Sequence, residues 1–104
     1  MSGKSYNDAY ELFFSSLSNP NRLRIVNCLR RREMNVSEIC IATGFEQTMV
    51  SHNLKRLERC GMVFSEKRGR FKYFKVNNDS IEPILKLIDG HMNKYCCKVL
   101  ENCK

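Results

Sequence analysis

Three thiols crowd the stretch HMNKYCCKVLENCK: Cys96, Cys97 and Cys103 fall within eight residues and make up half of the six cysteines. Thiolates bind soft ions and exchange with disulfides, so the cluster suits a thiophilic-ion sensor, a redox pair or packed core thiols. Lys94, Lys98 and Lys104 stand beside it, and nearby positive charge favours the thiolate. The second chemical feature is cationic. Net charge is +7, and eight of the 18 Lys and Arg residues lie between Lys55 and Lys75, against only Glu58 and Glu66. An earlier cluster holds Arg22, Arg24, Arg30, Arg31 and Arg32. This balance favours polyanionic partners, nucleic acid first and an anionic membrane surface second. The two histidines, His52 and His91, fall on different elements without an Asp or Ser partner, and no glycine-rich phosphate loop is present. Catalysis is not expected.

With 104 residues, 42% hydrophobic and 28% charged, the chain reads as one globular domain spanning 1–104. Its apolar runs are too short to span a bilayer. The opening MSGKSYNDAYELFF lacks the basic and apolar regions of a signal peptide, so a cytoplasmic location is expected. Thiols stay reduced there, and a disulfide framework is not implied.

The basic residues must be positioned by the elements beneath them. Tyr6, Tyr10, Phe13 and Leu17 recur with helical spacing and predict a first helix over about 5–18. In SNPNRLRIVNCLRR, Asn19 reads as the N-cap and Pro20 as the first residue of a second helix. NVSEICIATG predicts a short third helix, with Asn35 and Glu38 at capping-box spacing and Gly44 as its stop. A tight turn through Phe45 leads to QTMVSHNLKRLERCG. There Val50, Leu54 and Leu57 line one face, while Thr48, Ser51, His52, Lys55, Arg56 and Arg59 occupy the other. MVFSEKRGRFKYFKV switches to strand formers around a glycine turn and predicts a hairpin with a cationic tip, Lys67, Arg68 and Arg70. A long last helix carries Ile81, Ile84, Leu85, Ile88, Met92, Tyr95 and Val99 on one stripe, with Asp79 or Ser80 expected as its cap.

The predicted fold is therefore mainly α with a small β-hairpin wing: a winged helix-turn-helix in the order α-α-α-α-β-β-α. Such a fold lays its second helix in the major groove of double-stranded DNA, where polar side chains meet base edges. Gln47, Thr48, Ser51 and His52 are the expected base or near-base contacts; Lys55, Arg56, Lys67, Arg68 and Arg70 suit phosphates or the adjacent minor groove. The stripes of the first and last helices exceed what so small a domain buries alone, which predicts a homodimer suited to a two-fold symmetric operator.

With these motifs in place the sequence resembles the ArsR/SmtB family of metal-sensing repressors. LSNPNRLRIVNCL, MNVSEICIATGFEQTMVSHNLKRLERCGMV, SEKRGRFKYFKV and the last helix carry the likeness across nearly the whole chain. The resemblance implies a winged-helix homodimer that represses its operator and releases it when an inducer binds. One departure is Asn53, which stands where the family's Ser-x-His-Leu pattern has histidine.

The resemblance also implies where an inducer would sit. At the positions of the family's Cys-x-Cys-x-x-Cys arsenic site stand Asn35, Ser37 and Cys40; at those of its last-helix zinc site stand Asn78, Ser80, His91 and Lys94. Neither set can bind as in the family. Of the cadmium/lead cysteines on the recognition helix, Arg56 replaces the first and Cys60 matches the second. Cys96, Cys97 and Cys103 are similar to the terminal cluster of some arsenite-responsive members, which implies As(III), Sb(III) or another thiophilic metal as inducer. Thiol-redox or sulfide sensing, with Cys28 or Cys60 paired to a tail cysteine, and a regulator without any inducer are the alternatives. Geometry adds a condition. On a continuous helix Cys96 and Cys103 would be roughly 10 Å apart along the axis, whereas two thiolates on one ion are at most about 4.6 Å apart. A three-thiol site within one chain requires the helix to end before Cys103.

Overall fold

A computed structural model describes residues 6–96, without the side chain of Tyr6. The elements are α1 (Tyr6–Ser18), α2 (Pro20–Arg31), α3 (Val36–Thr43), α4 (Gln47–Arg59), β1 (Val63–Arg68), β2 (Phe71–Val76) and α5 (Ile81–Tyr95), in the expected order. Capping chemistry sets most boundaries. The Asn19 side chain accepts from the amides of Asn21 and Arg22, both at 3.0 Å, with Pro20 directly after it. Asn35 and Glu38 form a reciprocal capping box at the start of α3. At the end of α4 the Gly61 amide donates to the Glu58 carbonyl and the Met62 amide to that of Leu57, a Schellman closure. That closure needs a left-handed residue, and Gly61 has φ 73°.

The start of α5 differs from the sequence expectation. Ser80 occupies the N-cap position but makes no side-chain capping bond. Asn77 does the work instead. Its Oδ1 accepts from the amides of Asp79 and Ser80 at 2.9 and 3.3 Å, and its carbonyl accepts from those of Ile81 and Glu82. Its Nδ2 donates to the Gly61 carbonyl, so the turn before α5 is tied to the end of α4. The physical reason is that an Asx turn begun two residues earlier already satisfies the leading amides.

β1 and β2 pair antiparallel from Val63↔Val76 to Arg68↔Phe71, and Gly69 (φ 62°) opens the two-residue turn between them. A third backbone segment joins them. Met34, between α2 and α3, exchanges backbone hydrogen bonds with Phe74 at 3.1 and 2.8 Å. Ile25, Val26 and Leu29 of α2 meet Ile39, Val50, Leu54, Leu57, Met62, Val63, Phe74, Val76, Ile81 and Leu85 in one core.

α5 reaches this core through Ile81 and Leu85, and its second tether is ionic. Arg30 of α2 donates through Nε to Glu82 at 2.7 Å and through Nη2 to Asp89 at 2.8 Å. The hydrogen bond from Arg30 holds the Glu82 carboxyl below its ordinary range. Beyond Leu85 the helix is bare: Leu87, Ile88, Met92 and Tyr95 are exposed, as are Tyr10, Leu12 and Phe14 on α1. α5 ends at Tyr95, with Cys96 as its C-cap. Cys97, Val99 and Cys103 lie outside the described residues.

The Arg30 clamp predicts a pH signature. Because the folded-state pKa of Glu82 is depressed, its contribution is complete above the ordinary carboxylate range and lost as pH falls through the lowered value. Arg30→Met should cost about 1 kcal/mol at neutral pH. The gap from wild type should close in acid, read by urea denaturation across pH.

Candidate nucleic-acid interface

α4 is held by one stripe and free on the rest. Val50, Asn53, Leu54 and Leu57 are buried, whereas Gln47, Thr48, Ser51, His52, Lys55 and Arg59 are exposed and Arg56 is half-buried. The residues at 47–48, 51–52, 55 and 59 recur every turn and form one continuous outward face. The helix follows α3 after only residues 44–46, where Arg24 stacks its guanidinium over Phe45 at 5.0 Å.

Asn53 resolves the departure noted in the sequence. It points inward, donating Nδ2–H to the Met49 carbonyl at 2.9 Å and accepting from Arg22 Nη1 at 3.3 Å. Arg22 in turn donates to the carbonyls of Ser16 and Ser15 at the end of α1, at 2.9 and 3.2 Å. A partly buried polar bridge thus runs from α1 through α2 to the middle of α4. Sequence reasoning missed it because nothing local in SNPNRLR distinguishes Arg22 from a solvated charge.

The wing stands beside α4. Glu58 of α4 accepts the Ser65 hydroxyl proton and lies 3.8 Å from Lys72 Nζ, tying both strands to the helix. Val36, Ser51, Leu54, Lys55, Glu58, Lys72 and Phe74 line an open groove of about 340 Å³ between α3, α4 and the hairpin. Lys67 and Arg70 are exposed near the tip, and among the described residues neither makes an ion pair. Arg68, expected beside them as a phosphate contact, is exposed as well, but ion-paired. Its guanidinium grips both oxygens of Glu33 and one of Glu66. The hydrogen bond from Arg68 lowers the Glu33 pKa.

The cysteines separate. Cys28, Cys40 and Cys60 pack half-buried against the core, and Cys60 Sγ lies 3.4 Å from the Ser16 hydroxyl. Cys96 closes α5, while Cys97 and Cys103 are outside the described residues. Among the described residues no group of three or more His, Cys, Asp and Glu could hold a metal. At the family's last-helix site, His91 packs its ring 4.9 Å from that of Tyr95.

A helix-turn-helix with a polar outward face and a flanking cationic hairpin defines a winged helix-turn-helix domain. Residues 19–65 match the family described as bacterial regulatory protein, arsR family. The chain is 30% identical to a protein of Methanocaldococcus jannaschii described as an uncharacterized HTH-type transcriptional regulator, over 83% of its own length and 97% of the relative's. It is 28% identical to a transcriptional repressor SmtB homolog of Synechocystis, over 79% of this chain and 62% of that protein. It thus spans about three fifths of the length of that relative. A homodimeric winged helix-turn-helix DNA-binding domain from Mycobacterium bovis superposes with TM-score 0.80 at 26% identity, covering 92% of this chain and 94% of that one. The chain belongs to the ArsR/SmtB family of winged helix-turn-helix transcriptional regulators. Family and fold are those of DNA-binding transcriptional regulators.

The inward Asn53 and outward Ser51 make opposite predictions for stability. Asn53→Leu should cost about 1–2 kcal/mol by leaving Arg22 short of a partner. Ser51→Ala should stay within about 0.5 kcal/mol of wild type in urea denaturation.

Proposed function

We propose that residues 1–104 act as one sequence-specific DNA-binding domain, a cytoplasmic repressor of the ArsR type that works as a homodimer. The observation that carries this reading is the outward face of α4 lying beside the cationic wing. Gln47, Thr48, Ser51 and His52 read base edges, while Lys55, Arg56, Lys67 and Arg70 contact phosphates of an operator duplex. Two copies pair through α1 and α5. Support comes from Phe14, Leu87, Ile88 and Tyr95, all exposed in the single chain, and from an apolar groove of about 500 Å³ bounded by Ala9, Tyr10, Phe13, Phe14 and Ile84. The M. bovis domain is described as homodimeric. Pairing puts two recognition helices on one face, as a two-fold symmetric site demands.

The inducer is a thiophilic species, As(III) or Sb(III), bound by Cys96, Cys97 and Cys103. Two things support this: the positions of the better-known sensor sites lack their ligands, and α5 ends at Tyr95, before the last thiol. Binding at the end of the dimerisation helix would act on the pairing of the two copies and so on the spacing of their recognition helices.

Three measurements follow. Phe14→Glu should convert the dimer to monomer in sedimentation and abolish tight operator binding. Lys55→Ala should weaken DNA binding on every sequence and lower the slope of log affinity against log salt by about one, while Gln47→Ala relaxes sequence discrimination. As(III) should release wild type from operator DNA, and Zn(II) should not; Cys96→Ser, Cys97→Ser and Cys103→Ser should each blunt the response. Release only by oxidant or polysulfide would transfer the thiols to redox sensing, and a wild-type response in all three mutants would remove the tail as the sensor.

A further inference from the structure

We propose that Arg68 is a positioning residue of the wing and not a DNA contact: clasped by Glu33 and Glu66, it locks the hairpin in the orientation that lets Lys67 and Arg70 reach the duplex. The inference rests on the DNA-binding reading above.

All three nitrogens of the Arg68 guanidinium are engaged, although the side chain itself is exposed. Nη1 donates to Glu33 Oε1 at 2.7 Å, Nη2 to Glu33 Oε2 at 3.1 Å, and Nε to Glu66 Oε1 at 2.8 Å. Its face lies over the Tyr73 ring at 5.1 Å. A two-pronged fork fixes orientation as well as distance, which a single point charge cannot do. The cluster also carries two carboxylates to one guanidinium, so it offers a phosphate no surplus positive charge. A residue contacting DNA as a free cation would not be held this way.

The place of Glu33 in the chain explains what the clasp is for. Glu33 precedes Met34, whose backbone pairs with Phe74 and fastens the lower half of the hairpin to the body. An isolated two-stranded hairpin is marginally stable and would swing about that fastening. Arg68 is the last residue of β1, so the clasp holds the tip, beyond the Met34 pairing and the Glu58 links to Ser65 and Lys72. Neighbouring residues of a strand project to opposite faces. Lys67 therefore leaves the face on which Arg68 is clasped, and Arg70 follows the turn. Holding the tip in place before DNA arrives removes part of the ordering cost of binding.

The test turns on sign. Full-length wild type, Glu33→Gln, Arg68→Lys, Arg70→Ala and the Glu33→Gln/Arg68→Lys double variant are titrated over a salt series with a duplex that wild type selects from a random pool. Amide hydrogen exchange of the hairpin is followed without DNA. Glu33→Gln removes a negative charge beside a polyanion, so electrostatics alone would tighten binding. The clasp predicts the reverse, roughly three- to tenfold weaker binding with the salt slope unchanged. Arg68→Lys keeps the charge but loses the fork and should weaken binding equally, with the double variant no worse than either single one. Hairpin amides should exchange faster in all three. Arg70→Ala should lower the slope by about one without changing exchange. Tighter binding by Glu33→Gln, near-wild-type binding by Arg68→Lys, or unaltered hairpin exchange would each overturn the proposal. Wild type selecting no duplex would overturn the DNA-binding reading itself, while the exchange measurement would still report on the clasp.

Discussion

A helix that must present most of its circumference to solvent can be held only by a narrow stripe, and this constraint organises the whole domain. α4 rests on Val50, Leu54 and Leu57, each buried to within 1%. Fully burying such side chains contributes about 1.5–3 kcal/mol apiece. The stripe is too narrow to orient the helix by packing alone, so polar links finish the job. Asn53 is gripped by Arg22 from one side, Glu58 holds the strands on the other, and the Schellman closure at Gly61 seals the end. The outward residues are then free of structural duty.

The wing depends on the same logic. Its hairpin has one buried face, built from Val63, Phe74 and Val76, and would be poorly anchored as two strands. Met34 supplies a third backbone segment, Glu58 reaches across from α4, and Arg68 is clasped by Glu33. Two of these tethers start in the connection between α2 and α3 and the third on α4 itself, so α4 and the wing are held as one body. Lys55, Lys67, Arg70 and Lys72 stand exposed on it.

α1 and α5 follow a different rule. Ile81, Leu85 and the Arg30 clamp attach α5, and Leu17 attaches α1, but the remaining apolar residues face outward. A small domain cannot bury so much apolar surface by itself. In the proposed homodimer the second copy gives those residues a partner.

The sequence by itself determined the elements and their order, because the signals are local. Asn19–Pro20, Asn35 with Glu38, Gly44 and Gly61 each act within one turn of chain, and apolar spacing marks which face of each helix turns inward. It also singled out the outward face of α4, since Ser51, His52 and Lys55 alternate with Val50 and Leu54 at helical spacing. Only the tertiary structure decided how charged and polar residues are shared out. Arg68 looked like Lys67 and Arg70 until folding brought Glu33 to it across 35 positions of chain. Arg22 looked solvated until Asn53 met it 31 positions away, and Asp79 or Ser80 looked like the cap of α5 until Asn77 was tied to Gly61. The reason is range: caps and periodicity act over one or two turns, whereas the partner of a long side chain is chosen by distance in space.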